Sequence, residues 1–107
     1  MRVYLIDKNK KRNYNERDKD ETIRLFNQGH FNLVADAMPE DLEETYSMTQ
    51  NHGISWINNP DIISYATDIA YTRSTMIGDV FLQGNGIERK FYVVASCGFE
   101  RLEGIDV

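Results

Sequence analysis

The chain has 107 residues, of which 41% are hydrophobic and 27% are charged. These values fit one globular domain with a core of its own, and they exclude a wholly disordered protein. The formal net charge of -5 disfavours direct binding to DNA or RNA, because an acidic surface repels phosphates. Such acidity serves solubility in most proteins, or it favours a basic partner such as the nucleic-acid groove of another protein.

The single cysteine, Cys97, cannot form an internal disulfide and is typical of a reducing compartment. The apolar run over residues 1–6 is too short for a signal peptide or a membrane span. The sequence therefore predicts a cytoplasmic protein that does not associate with a membrane.

The first predicted elements are a strand and a helix. Val3 and Leu5 indicate a strand, and residues 7–18 have no apolar periodicity and indicate a loop. A helix is predicted to begin near Asp20, which can cap it, and to stop at Gly29.

A second strand and a second helix follow. Residues 31–35 alternate, which places Phe31, Leu33 and Ala35 on one face of a strand. Pro39 is predicted to be the first residue of the helix, where a missing N–H costs nothing, and Gly53 ends the region. Four residues share one face of this helix: Leu42, Thr45, Tyr46 and Thr49.

The last part of the chain indicates a hairpin. Residues 61–71 favour a short helix, although their β-branched content also allows a strand. Asn85 and Gly86 separate two apolar runs, which is the strongest short-range hairpin signal, and Gly98 should break or bulge the second run. The predicted fold is α+β, with a small antiparallel sheet and a C-terminal hairpin, packed on one side by two or three helices.

Acidic residues cluster in the sequence. Residues 7–19 carry a net charge of +3 and residues 20–48 a net charge of -6, so the two stretches could simply attract each other. Carboxylates along a helix can imitate a nucleic-acid backbone and occupy a basic groove, whereas ordinary helix starts also carry acids that suit the helix dipole. Trp56 could anchor a partner or lie in the core. The candidate partner-binding residues are Glu40, Asp41, Glu43, Glu44 and Trp56.

Two side chains could carry chemistry, and each has a structural interpretation. Asp79, which could pair with Arg73, is either a binding or catalytic acid or a staple that fixes a turn. Cys97 as a nucleophile would need His30 or His52 as a base, and a buried, inert thiol is favoured. The ligand spacing of a zinc site and the helix that follows a phosphate-binding loop are both missing, so we predict no catalytic residue, metal or cofactor.

Residues 73–80 read Arg-Ser-Thr-Met-Ile-Gly-Asp-Val, and a Gly-Phe pair follows a hairpin. With these residues the last half of the chain resembles small proteins of bacteriophages and conjugative elements, including YodL-like domains, whose pattern usually has Ser-Val before Gly-Asp. Residues 55–60 are similar to the Trp-x-x-Asn-Pro segment that often precedes it. The residues that carry the turn motif are Arg73, Ser74, Gly78, Asp79, Gly98 and Phe99. The resemblance implies a phage or mobile-element accessory protein, with no established activity.

Three functional hypotheses follow from the sequence. The first is an accessory protein, monomeric or homodimeric, that binds and modulates a host protein of replication, transcription or defence. The second is a small enzyme or nucleotide-binding domain centred on the turn between Arg73 and Asp79. The third is a protein that pairs with a second copy through an exposed hairpin edge.

Overall fold

A computed structural model of the chain describes residues 1–7, 19–51, 55–65 and 72–105. These residues form an antiparallel sheet and two α-helices, so the α+β class predicted from the sequence is confirmed. Three predictions lie outside the described residues: the loop over 8–18, the helix end at Gly53, and the conformation of residues 66–71.

The sheet has six strands and is larger than the predicted hairpin alone. The strands are β1 (Arg2–Ile6), β2 (Phe31–Ala37), β3 (Ile62–Ser64), β4 (Val80–Gln83), β5 (Lys90–Ala95) and β6 (Gly98–Leu102). The helices are α1 (Lys19–Asn27) and α2 (Leu42–Met48), with short 3-10 turns at Trp56–Asn58 and Gly86–Glu88. Across the sheet the order is β3-β2-β1-β4-β5-β6, and each neighbouring pair is antiparallel.

Both faces of the sheet are covered, so the expectation of helices on one side is wrong. Leu25 and Phe26 of α1 pack against one face, where Phe26 lies 5.3 Å from the rings of both Phe31 and Phe91. On the other face α2 and the first 3-10 turn pack around Phe81. The reason is visible in β4, where the three successive residues Val80, Phe81 and Leu82 are apolar and buried; a strand buried on both faces needs such a run.

A bulge in β2 changes the predicted alternation. Val3 pairs with Ala35 and Tyr4 pairs with Leu33, so Val34 is an extra residue between them. As a result Phe31 joins the core on the α1 face, whereas Ala35 joins the core on the opposite face and Leu33 is exposed. The predicted common face for these three residues is therefore wrong.

The C-terminal end of α1 lies where the sequence predicts it, whereas the predicted Asp20 cap is wrong. The helix begins at Lys19, which places Asp20 inside the first turn and not at the cap. At the other end Gly29 has a φ of 83°, a conformation that glycine adopts without strain, and its N–H donates to the carbonyl of Phe26. The predicted stop at Gly29 is confirmed.

The start of α2 lies later than predicted. Asp41 is the N-cap, and its carboxylate accepts a hydrogen bond of 2.9 Å from the N–H of Glu44. Pro39 therefore precedes the helix and does not open it. Thr45 and Thr49 are buried and Leu42 and Tyr46 are partly buried, which confirms the predicted inner face.

Two further turns and one edge strand complete the sheet. Residues 62–64 form β3, so the helical preference is wrong there; Ile62 is buried and Ile63 is exposed, as alternation in a strand requires. The predicted hairpin is confirmed, since Gln83 pairs with Lys90 across the Gly86–Glu88 turn. Gly98 interrupts the second apolar run as predicted, because the chain reverses just before it and starts β6.

Substitution of Phe81 tests the core on the α2 face of the sheet. Phe81→Ala removes a fully buried ring and should lower the free energy of unfolding by about 3–5 kcal/mol. Urea unfolding followed by circular dichroism measures the change. Ile87→Ala is the matched control, since Ile87 is fully exposed and its loss should change stability by no more than about 0.5 kcal/mol. Equal effects of the two substitutions would contradict the fold.

Candidate functional site

Residues 72–79 run into β4 without forming a helix or a strand. Long-range hydrogen bonds hold this segment at both ends. The N–H of Thr75 donates to the carbonyl of Thr49 at 3.1 Å, and the N–H of Gly78 donates to the carbonyl of Val94 at 2.9 Å. The segment is thus fixed between the end of α2 and strand β5.

The carboxylate of Asp79 is the centre of this segment. Its side chain is fully buried, and Arg73 binds it through two hydrogen bonds of 2.6 and 2.8 Å. The N–H of Met76 donates to Oδ2 at 2.8 Å, and the N–H of Ile6 in β1 donates to Oδ1 at 3.1 Å. Four donors therefore meet the two oxygens, and the carboxylate joins the 72–79 segment to the centre of the sheet.

This geometry supports the staple interpretation of Asp79. A general base must reach a substrate proton with a lone pair of its own. Each oxygen of Asp79 instead accepts two hydrogen bonds from the chain and is closed to solvent. Arg73 is partly exposed, and its guanidinium also donates to the carbonyl of Ser74 at 3.1 Å. The pairing of Arg73 with Asp79 was predicted, whereas the long-range donor Ile6 left no signal in the sequence.

Trp56 extends the buried network. Its indole N–H donates to the carbonyl of Arg73 at 2.8 Å, and its backbone N–H donates to the side chain of Asn51 at 2.9 Å. Only 3% of Trp56 is exposed. The core placement that the sequence also allowed is thus the observed one. The indole satisfies its one polar group inside the protein, as buried tryptophans usually do.

Sequence reasoning missed the long-range hydrogen bonds that the residues after α2 make. Thr49 and Thr75 share a hydrogen bond of 2.5 Å between their hydroxyls, and the Gln50 amide donates to the carbonyl of Thr75 at 2.9 Å. The N–H of Asn51 donates to the hydroxyl of Ser74 at 2.7 Å. The only local signal was a run of three small polar side chains after a helix, whose partners lie more than twenty residues away.

The four candidate acids have different surroundings. Asp41 caps α2, and Glu40 lies 3.7 Å from the terminal ammonium of Met1. Glu43 and Glu44 are exposed in the first turn of α2, and within the described part of the chain their carboxylates make no hydrogen bond or ion pair. All four acids are exposed, but the carboxylates of Glu40 and Asp41 have partners in the protein, whereas those of Glu43 and Glu44 have none among the described residues. We call Glu43 and Glu44 the α2 acidic surface.

A groove of about 280 Å³ lies beside this surface, between α2 and the turn that joins β5 to β6. We call it the α2 groove. Glu43 lies at its α2 side, and Gly98 and Phe99 of the turn motif lie at the other. The remaining residues of the motif are elsewhere: Arg73 and Asp79 lie in the buried network. The structure thus divides the motif into a structural part and a part at the surface.

Cys97 does not have the predicted environment. It lies in the turn before β6 and is exposed, so the expectation of a buried thiol is wrong. The tight turn before β6 places the Cys97 side chain at the surface, whereas a continuous strand would have covered it. His30 lies 3.6 Å from Asp7, and His52 is outside the described residues. Among the residues that the structure describes, no three His, Cys, Asp or Glu side chains are grouped as metal ligands.

Comparisons with protein-family models, with curated proteins and with solved structures found no match for this chain. The contacts of the molecule itself are therefore the basis for a functional proposal. Neither of the helices in the described ranges has the length and apolar character needed to cross a bilayer.

Trp56 gives a direct spectroscopic test of the network, because it is the only tryptophan in the chain. Its fluorescence in the native protein should be shifted to shorter wavelengths and should resist quenching by acrylamide, since water is excluded from the buried ring. Unfolding in urea should move the emission to that of free N-acetyltryptophanamide, which is the reference for an exposed indole. Native emission already equal to that reference would contradict the burial of Trp56.

Asp79→Asn tests the staple. The amide would present a donor to neighbours that are themselves donors, and it would leave Arg73 without its counter-charge. We expect the free energy of unfolding to fall by about 3–5 kcal/mol. Asp61→Asn makes the same chemical change at an exposed site and should cost no more than about 0.5 kcal/mol. If urea unfolding found the two variants equally stable, Asp79 would not be a structural anchor.

Proposed function

We propose that this chain is a binding protein that docks a basic partner protein through the α2 acidic surface. The observation that carries the proposal is that Glu43 and Glu44 are exposed and make no ion pair with described residues. A carboxylate without an internal partner is available to an external cation. Acids in the first turn of a helix also favour its dipole, but that interaction leaves both carboxylates exposed and able to bind a cation.

The charge of the surrounding chain supports the same partner. From Arg24 to Arg73 the sequence contains no lysine or arginine in between, whereas acids recur throughout that stretch. Charges of one sign on a connected part of the surface produce a potential that attracts oppositely charged proteins and repels nucleic acid. A basic nucleic-acid-binding groove on another protein has the complementary potential.

The biological context rests on the resemblance of residues 54–102 to small phage and mobile-element proteins. In that context the basic partner is a host protein, located in the host cytoplasm, and binding modulates its work in replication, transcription or defence. The carboxylates would then occupy a groove that otherwise holds phosphates. The alternative of an enzyme or nucleotide-binding domain has weaker support, because Asp79 already has four donors from its own chain.

Charge reversal tests the proposal. The tagged protein, its E43K/E44K variant and its E88K/E103K variant are used to capture proteins from a lysate of the native host, with recovery measured by quantitative mass spectrometry. Both variants replace two glutamates by two lysines and so change the net charge equally. Glu88 and Glu103 are exposed, as Glu43 and Glu44 are. The α2 reversal should lower recovery of the partner by about tenfold, and the control should leave it unchanged.

Two further readouts decide the nature of the partner. Recovery should fall as salt rises, because exposed charges are screened. A DNA duplex added to the lysate should compete with the chain if the partner uses a nucleic-acid groove. Recovery that is the same for both charge-reversal variants, or lost equally with both, would overturn the proposal.

A further inference from the structure

The α2 groove has apolar walls that the core holds in place. The rings of Tyr46 and Phe99 meet edge to face with centroids 6.3 Å apart. Phe99 also lies 5.9 Å from the fully buried Phe81, and the groove is lined by the buried Val94 of β5. Side chains packed against a close-packed core have little freedom to collapse into an adjacent space. The groove is therefore formed before anything binds in it.

Ile77 lies where the groove meets solvent. It is 37% exposed, and the hydrogen bond from the N–H of Gly78 to Val94 fixes the turn that carries it. The contact of an aliphatic side chain with water is unfavourable, and covering it with another apolar group lowers the free energy. The geometry therefore favours an apolar occupant.

The size and charge of the groove restrict that occupant further. Its volume of about 280 Å³ lies below the range of about 300–1,000 Å³ that is usual for pockets of drug-sized ligands. It can admit a large side chain but leaves little room for a nucleotide. Glu43 at its edge would repel phosphate and attract a cation.

We propose that the α2 groove binds a large aliphatic or aromatic side chain of a protein segment whose neighbouring lysine or arginine pairs with Glu43. This inference rests on the proposed function and narrows the partner to a basic segment with an apolar anchor. A buried anchor supplies most of the binding energy in such interfaces, and the charge at the rim orients the segment and speeds the encounter.

Three fluorescein-labelled peptides of equal length provide the probes: one of lysine and leucine, one of lysine and serine, and one of glutamate and leucine. Fluorescence anisotropy with the full chain measures their affinities. The lysine and leucine peptide should bind about tenfold more tightly than either of the others, because it alone supplies both the anchor and the cation. Its binding should shift the NMR amide signals of Ser96 and Gly98.

Variants assign each contribution. Ile77→Ser should weaken the lysine and leucine peptide by about tenfold and leave the lysine and serine peptide unchanged. Glu43→Gln should weaken both lysine peptides. The matched controls are Ile87→Ser and Glu88→Gln, which change exposed residues of the β4–β5 turn and should have no effect. Circular dichroism melting confirms that each variant is folded.

Several results would overturn the inference. Equal binding of the two lysine peptides would show that an apolar anchor does not contribute to affinity. Equal effects of Ile77→Ser and Ile87→Ser would show that the peptide does not bind in the groove. Amide shifts confined to another surface would do the same. If sedimentation equilibrium showed a dimer that Ile77→Ser dissociates, the occupant would be a second copy and not a basic partner.

The outcome for the groove can be separated from the outcome for the proposed function. If both lysine peptides bind equally and capture from the host still depends on Glu43 and Glu44, the groove inference fails and the acidic docking surface stands. If the lysine and leucine peptide binds in the groove but the E43K/E44K reversal leaves capture unchanged, the docking function fails instead.

Discussion

The buried carboxylate of Asp79 is the constraint on which the rest of the molecule depends. A charge without contact with water is tolerated only when partners surround it, and Asp79 has the Arg73 guanidinium and two backbone N–H groups. Those donors come from β1 and from the segment that precedes β4. The strand order at the centre of the sheet, with β4 beside β1, brings the N–H of Ile6 to this carboxylate.

The same anchor positions α2. With Arg73 held against Asp79, its carbonyl accepts the Trp56 indole, and the following residues bind the end of α2 through Thr49. The helix is short, with seven residues, and a helix of that length is not stable alone. Its position depends on the contacts at its C-terminal end together with the packing of Leu42 and Tyr46 against the core. The buried network around Asp79 thus contributes to the placement of the surface that carries Glu43.

Structural features that depend on neighbouring residues were predictable from the sequence, whereas features that depend on distant strands were not. Gly29 ends α1 and a hairpin forms around Asn85 and Gly86, because these features depend mainly on a few neighbouring residues. The extra residue Val34 and the strand at Ile62 depend on which strand lies alongside, and no local pattern records that. At the candidate site the same distinction holds. The Arg73–Asp79 pair spans six residues and was predicted, whereas the groove joins α2 to β5 and β6 and appears only in the fold.

Charge and shape contribute differently to recognition, and the α2 region has both. An acidic surface alone accelerates the encounter with any basic protein but gives little selectivity, because exposed ion pairs are weak and are screened by salt. An apolar groove alone would admit many side chains. In the proposed complex, with Glu43 at the edge of the groove, a partner gains both contributions only if its cation and its anchor are correctly spaced. Selectivity then resides mainly in the dissociation rate, since the buried anchor must leave the groove before the complex can separate.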